Sequence, residues 1–201
     1  PNDVHALRIH DCHDLRTWRH GVPHGSSSAR TSSRCRYAPH AGRDHDDFYH
    51  IGEHNPTEQE ISNALHAYFA ESLEMVAWGK FDTLAHITYP LRYMCKAGET
   101  PSYKPYQDEL DAVLKALIKS DIAMEFNTSR ILRTDAPKLP DREVYSRYKE
   151  LGGKLVTIGA DAHRTENIAS GVEEAMELLS DIGYKEYTVF VERKPVQVPI
   201  E

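Results

Sequence analysis

Asp161-Ala162-His163 sets a carboxylate and an imidazole two residues apart. In an extended turn such a pair can share one ion or approach neighbouring ions, and its donors suit Zn²⁺, Mn²⁺ or Fe²⁺. A D-x-H triplet is common in loops, so it gains meaning only beside a further ligand. His86 is the candidate, and by itself a strand-end histidine is more often a hydrogen-bonded packing residue. Asn127, followed by Thr128 and Ser129, offers an amide that either positions a substrate or caps a turn.

These residues need elements to bring them together. Thr57-Glu58-Gln59-Glu60 is a capping box, and Ile61, Leu65, Phe69, Leu73 and Val76 then mark one helical face, predicting a helix from Thr57 to about Trp78 that stops at Gly79. Phe81–His86 is a short buried strand. Pro105 precedes a second helix with Leu110, Val113, Leu114, Leu117 and Ile118 inward, and Ile122–Asn127 is the next strand. Asp141 opens a third helix through Val144, Tyr145, Tyr148 and Leu151, closed by Gly152-Gly153, ahead of a strand over Leu155–Gly159. A fourth helix spans Val172–Ile182, ended by Gly183, and Tyr187–Val191 is the last strand. Strands and helices alternate without hairpin signals, which predicts an α/β fold with a parallel sheet, open or closed into a barrel. The carboxyl ends of parallel strands form the functional face of such folds. His86, Asn127 and Gly159–His163 fall at three such ends, and that convergence raises a metal site above chance.

Composition divides the chain. Of twelve histidines among 201 residues, eight (His5, His10, His13, His20, His24, His40, His45, His50) lie in the first fifty, which carry seven arginines and a Ser-rich run but neither Lys nor Glu. Residues 1–46 show no sustained periodicity and read as an irregular segment. Three origins compete: a His-rich metal-collecting tail, a disordered arm, and an out-of-frame translation of a GC-rich gene. Residues 47–201 carry the domain pattern. A net charge of −7 argues against a nucleic-acid-coating role, and no 18-residue apolar run indicates a membrane span. Three widely spaced cysteines, Cys12, Cys35 and Cys95, make neither a disulfide framework nor a metal knuckle, so a reducing cytoplasm is the default.

The ordered series Trp78–His86, Thr88–Tyr93, Glu125–Ser129 and Leu151–Gly153 through Ile158–Arg164 resembles the C-terminal half of the PHP-type histidinol phosphatases. The resemblance runs over about residues 46–198, including Arg193-Lys194-Pro195. It implies part of a distorted (β/α)7 barrel and a metal-dependent phosphomonoesterase of histidine biosynthesis that cleaves L-histidinol phosphate to L-histidinol and phosphate. His86, Asp161 and His163 match family metal ligands, and the intact family site holds up to three divalent ions. Through their hold on those ions, Asp161 and His163 are also the candidate catalytic residues. Arg92 would clamp phosphate through its guanidinium fork, with Arg164 and Arg133 weaker candidates. A solvated loop arginine is an equal reading of Arg92.

The departures are as specific. A complete PHP domain opens on an H-x-H motif, and none occurs in this sequence. His40 stands about where a Ser-x-His ligand would fall, without the surrounding Gly-Ser context. Four βα-type units cannot close a seven-strand barrel, and exposed sheet edges would invite association with another copy. Weak or absent phosphatase activity is therefore expected of this chain. A phosphoesterase acting on nucleotides or DNA ends, and a non-catalytic metal-binding piece, are the alternatives.

Overall fold

The computed structural model describes residues 56–92, 102–132 and 142–200, together with Ala6–Arg8; for Ala6–Arg8 and Arg92 it describes the backbone alone. His40, Arg133, Asp141 and the three cysteines lie outside the described residues, as does nearly all of the segment 1–46.

The first helix, α1 (Glu58–Trp78), begins and ends where its sequence dictates. Thr57 accepts from the Glu60 amide at 3.2 Å while the Glu60 carboxylate accepts from the Thr57 amide at 2.7 Å. Gly79 closes the helix at φ +64, a left-handed conformation that glycine adopts without a Cβ penalty. Its buried stripe is Ala64, Leu65, Tyr68, Phe69, Ser72, Met75 and Val76, whereas Ile61 and Leu73 are only partly covered. A short strand β2 (Thr83–Ala85) and a 3-10 turn (Tyr89–Arg92) follow. Next come α2 (Gln107–Lys119), β3 (Ala123–Asn127), α3 (Arg142–Glu150), β4 (Val156–Gly159) and α4 (Val172–Ile182).

Strands β2, β3 and β4 pair in parallel in chain order, with Thr83 opposite Ala123 and Asn127 opposite Gly159. Parallel pairing of sequential strands, each separated by a helix, is the expected consequence of the alternation. The core lies between this sheet and the helices, around Leu65, Phe69, Leu84, Leu114, Leu117, Met124, Phe126, Tyr145 and Tyr148. Tyr148 packs so close to Gly153 that a Cβ there would stand 2.5 Å from its ring.

Among the described residues of the segment 1–46, Ala6–Arg8 form strand β1, which pairs in parallel with β2, Leu7 opposite Leu84. Three residues are too few to show a period of two. The last strand is not a fourth βα unit of the parallel sheet. Strands β5 (Glu186–Val191) and β6 (Lys194–Pro199) form a separate antiparallel hairpin. Its two-residue turn is Glu192-Arg193, with φ of +49 and +62, the backbone of a tight hairpin turn normally announced by Asn-Gly or Asp-Gly. Without those residues the sequence gives no hairpin signal. The two paired strands also hold Pro195 and Pro199 of β6, consistent with a strand lacking a partner on its other side among the described residues.

Candidate functional site

His86 follows β2 directly and sits at φ +64 with its side chain buried. Two donors hold its carbonyl: the Tyr89 amide at 2.7 Å and the Tyr68 hydroxyl, from α1, at 2.7 Å. Tyr103 donates in the same way to the Ile87 carbonyl at 2.9 Å. Burial pushes the Tyr68 phenol above its ordinary value, helped by Tyr89 and Glu71, so it stays a hydrogen-bond donor. Residues in uncommon backbone conformations persist where surrounding contacts over-determine them, and such positions concentrate at sites.

From β3, Glu125 and Asn127 project to the same face, as a strand's period of two requires. The imidazole Nδ1 of His86 lies 3.8 Å from Glu125 Oε2 and 3.3 Å from Asn127 Nδ2, and Asn127 Nδ2 donates to Glu125 Oε2 at 3.3 Å. Glu125 is buried, and the absence of a side chain at Gly159 on neighbouring β4 makes room for it: a Cβ at Gly159 would stand 2.6 Å from Glu125 Oε1. Tyr145 fixes the strand from beneath, donating to the Glu125 carbonyl at 2.6 Å. The amide of Asn127 also caps a turn, its Oδ1 accepting from the Ser129 amide at 3.0 Å and the Ser129 hydroxyl at 2.6 Å.

Beyond β4, Asp161 is likewise left-handed (φ +50) and mostly buried, whereas His163 is exposed; their side chains approach to 3.5 Å. The loop that follows is pinned to the end of β3. The Thr128 amide donates to the Gly159 carbonyl at 2.8 Å and its hydroxyl to the Ser170 carbonyl. Gly171 passes where a Cβ would meet Ile131 at 2.4 Å.

The candidate ligands therefore lie at the carboxyl ends of three adjacent parallel strands, in two pairs: His86 with Glu125, and Asp161 with His163. Among the described residues no three His, Cys, Asp or Glu side chains stand close enough together to hold one ion. Arg92 ends the 3-10 turn Tyr89–Arg92, which follows His86 in the chain. Arg164 is exposed on the surface and faces Glu166 at 3.9 Å, the geometry of a solvated arginine. Sequence reasoning passed over Glu125, though the signal was there: one carboxylate in an otherwise apolar strand, two residues from Asn127. Tyr68 had no comparable signal, because a tyrosine on an apolar helix face reads as core, and Tyr103 stands in a loop outside any periodic pattern.

The donor chemistry fits a divalent ion, since each pair joins an imidazole to a carboxylate. Each pair alone supplies two of the four or more ligands such an ion takes.

No family model matches the chain. A probable histidinol-phosphatase of Thermotoga maritima is 36% identical over 133 residues, which are 66% of this chain and 54% of the relative. A second, from Clostridium acetobutylicum, is 35% identical over 115 residues, 56% of this chain and 43% of the relative. The crystal structure of a histidinol phosphate phosphatase from Lactococcus lactis, complexed with zinc, L-histidinol and phosphate, shares the fold with a TM-score of 0.55 at 22% identity. That superposition covers 68% of this chain and 52% of the other. The chain thus spans about half the length of the curated relatives it matches. Over 66% of its length the chain is similar to histidinol phosphatases, and it shares the fold of one of them.

Proposed function

We propose that the chain carries part of the catalytic face of a divalent-metal-dependent phosphomonoesterase acting on L-histidinol phosphate, in a partial (β/α)7 barrel. The observation that carries this reading is the meeting of nitrogen and carboxylate donors at the carboxyl ends of β2, β3 and β4, within a stretch similar to histidinol phosphatases. His86, Asp161 and His163 would hold zinc, manganese or iron. Bound there, a divalent ion supplies a water of lowered pKa and neutralises charge on phosphate oxygens. Glu125 and Asn127 orient the His86 ring, and the Tyr68 and Tyr103 hydroxyls hold the backbone that presents it. His40 remains a proposed ligand and Arg92 a proposed phosphate clamp. Asn127 and Arg164 are proposed to contact substrate only if their present partners release them.

With its donors in separate pairs, the chain alone turns over substrate slowly or not at all. Among the described residues β1 and β4 are the outer strands of the parallel sheet, and self-association through those edges follows from their unpaired backbone groups. No described helix is long and apolar enough to cross a membrane, and a cytoplasmic, biosynthetic setting agrees with the family.

Phosphate release from histidinol phosphate, nucleoside monophosphates and a short oligonucleotide, with zinc or manganese added, tests the assignment. Slow, chelator-sensitive release favouring histidinol phosphate and lost in His86→Ala and Asp161→Ala is expected. Preference for nucleotides, or release indifferent to chelator, would overturn it, and a rate near that of a full-length relative would overturn the expectation of weak activity.

A further inference from the structure

A cavity of about 620 Å³ lies at the end of the parallel sheet opposite His86. Its walls come from the residues that lead into the strands: Asp82 before β2, Asp121 before β3 and Lys154 before β4. Phe190 and Arg193 of the hairpin line it as well, as does Tyr148 of α3. The length of the strands separates this cavity from the ligand pairs at their carboxyl ends, so it is no extension of that site.

The lining has the make-up of a small-molecule site, mostly apolar and aromatic with a few convergent polar groups. Two carboxylates, Asp82 and Asp121, and two cations, Lys154 and Arg193, leave it without net charge. A simple cation would meet the two cationic side chains and an anion the two carboxylates, whereas a molecule bearing one charge of each sign can pair both. Asp82 fixes where the positive end goes. It is 6% exposed, its Oδ1 meets Arg193 at 3.1 Å, and its Oδ2 is buried without a hydrogen-bond partner among the described residues. An unsatisfied carboxylate oxygen withdrawn from water is costly, and an ammonium group would satisfy it. Rotation about the soft terminal torsion of the aspartate presents that oxygen to the cavity. Lys154 is exposed, at the rim, and Arg193 has N–H groups beyond the one that reaches Asp82.

We propose that this cavity is a second binding site, for a free amino acid with an apolar side chain. Its ammonium group pairs with Asp82, its carboxylate with Lys154 and Arg193, and its side chain packs against Tyr148 and Phe190. Because the lining joins the sheet to the hairpin, a bound amino acid holds the two together. The site uses none of the strand-end ligands and stands apart from the phosphatase reading.

Calorimetric titration of the full chain with L-phenylalanine, phenethylamine and 3-phenylpropionate tests it, since the last two each lack one of the charges. L-Phenylalanine is expected to bind saturably with a Kd at or below about 1 mM, and each of the others about tenfold more weakly or worse. Asp82→Asn and Lys154→Met should each weaken L-phenylalanine about tenfold, and His86→Ala should leave its binding unchanged. Lys154 is exposed, so its variant tests the site even where Asp82→Asn fails to fold. No saturable binding of L-phenylalanine, equal affinity for either singly charged probe, wild-type affinity in Lys154→Met or in a folded Asp82→Asn, or loss of binding in a folded His86→Ala would overturn the proposal. None of these readouts depends on cleavage of a phosphate ester, so this site and the substrate assignment can fail separately.

Discussion

Gly159 shows how a residue with no functional group shapes the site. Its backbone belongs to β4, yet the space above it is filled by the carboxylate of Glu125 from β3, and an added Cβ would lie 2.6 Å from Oε1 and 3.3 Å from Cδ. The clashing atoms are the tip of a side chain, so the strand itself can stay in place while the carboxylate moves. Gly159→Ala should therefore cost only about 1 kcal/mol in denaturant unfolding, the low end of overpacking penalties. The displaced carboxylate leaves the neighbourhood of His86, and zinc affinity should fall about tenfold, as for other groups that orient a ligand. Competition with a chromogenic chelator measures it. An unchanged affinity alongside a measurable stability loss would show that Glu125 has no part in holding the ion. What the sequence disclosed at this scale was uneven for a physical reason. His86 and Asp161 are titratable groups at strand ends and were legible as such. The roles of Glu125, Tyr68 and Gly159 depend on which strand lies beside which, and spacing along one chain does not contain that.

At the scale of elements, helices were the most legible because their boundaries are set locally. The Thr57 capping box and the left-handed Gly79 fix both ends of α1 with contacts no more than four residues apart. The hairpin was not legible, since its turn uses Glu192 and Arg193 rather than residues that favour positive φ. Interactions between helices were hidden for the same reason as those between strands. Asp111 on α2 reads as a surface carboxylate, yet it is buried and accepts from Arg147 of α3 through both ends of the guanidinium fork, Nε at 2.9 Å and Nη2 at 2.6 Å, and from Gln107 at 2.8 Å. Those Arg147 hydrogen bonds hold the Asp111 carboxyl well below the usual carboxylate range, against the opposing effect of burial. A folded-state pKa lower than the unfolded value of about 3.9 gives stability that is present above that value and lost as pH falls toward the folded one. Urea midpoints measured from about pH 5 down to pH 2.5 should fall for the wild type, and Arg147→Met should flatten the part of that slope below about pH 4. Parallel wild-type and variant curves would mean that the pair contributes nothing to linkage between α2 and α3.

For the whole molecule, the question is what ties the carboxyl-terminal hairpin to the parallel sheet, since no backbone ladder joins the two. One answer lies at the end of the sheet remote from His86. Asp82, just before β2, is 6% exposed, and its Oδ1 meets Arg193 Nη2 of the hairpin turn at 3.1 Å. The two residues help line a cavity of about 620 Å³ that also touches Tyr148, Leu155 and Phe190. The second carboxylate oxygen, Oδ2, is buried without a hydrogen-bond partner among the described residues, so Arg193 is the main compensation for a charge withdrawn from water. Removing the arginine should therefore be worse than removing both charges. Arg193→Ala is expected to cost about 1–3 kcal/mol, the range for a buried polar group that loses its partner, moderated because the arginine is half exposed and water can follow it out. Asp82→Asn in the Arg193→Ala background should recover part of that loss, because the neutral amide needs less compensation than a carboxylate. The comparison of single and double variants by denaturant unfolding isolates the coupling. If the double variant were less stable than Arg193→Ala by the full cost of Asp82→Asn alone, the two residues would be independent, and the hairpin would be held to the sheet by apolar packing of Phe190 and its neighbours rather than by this ion pair.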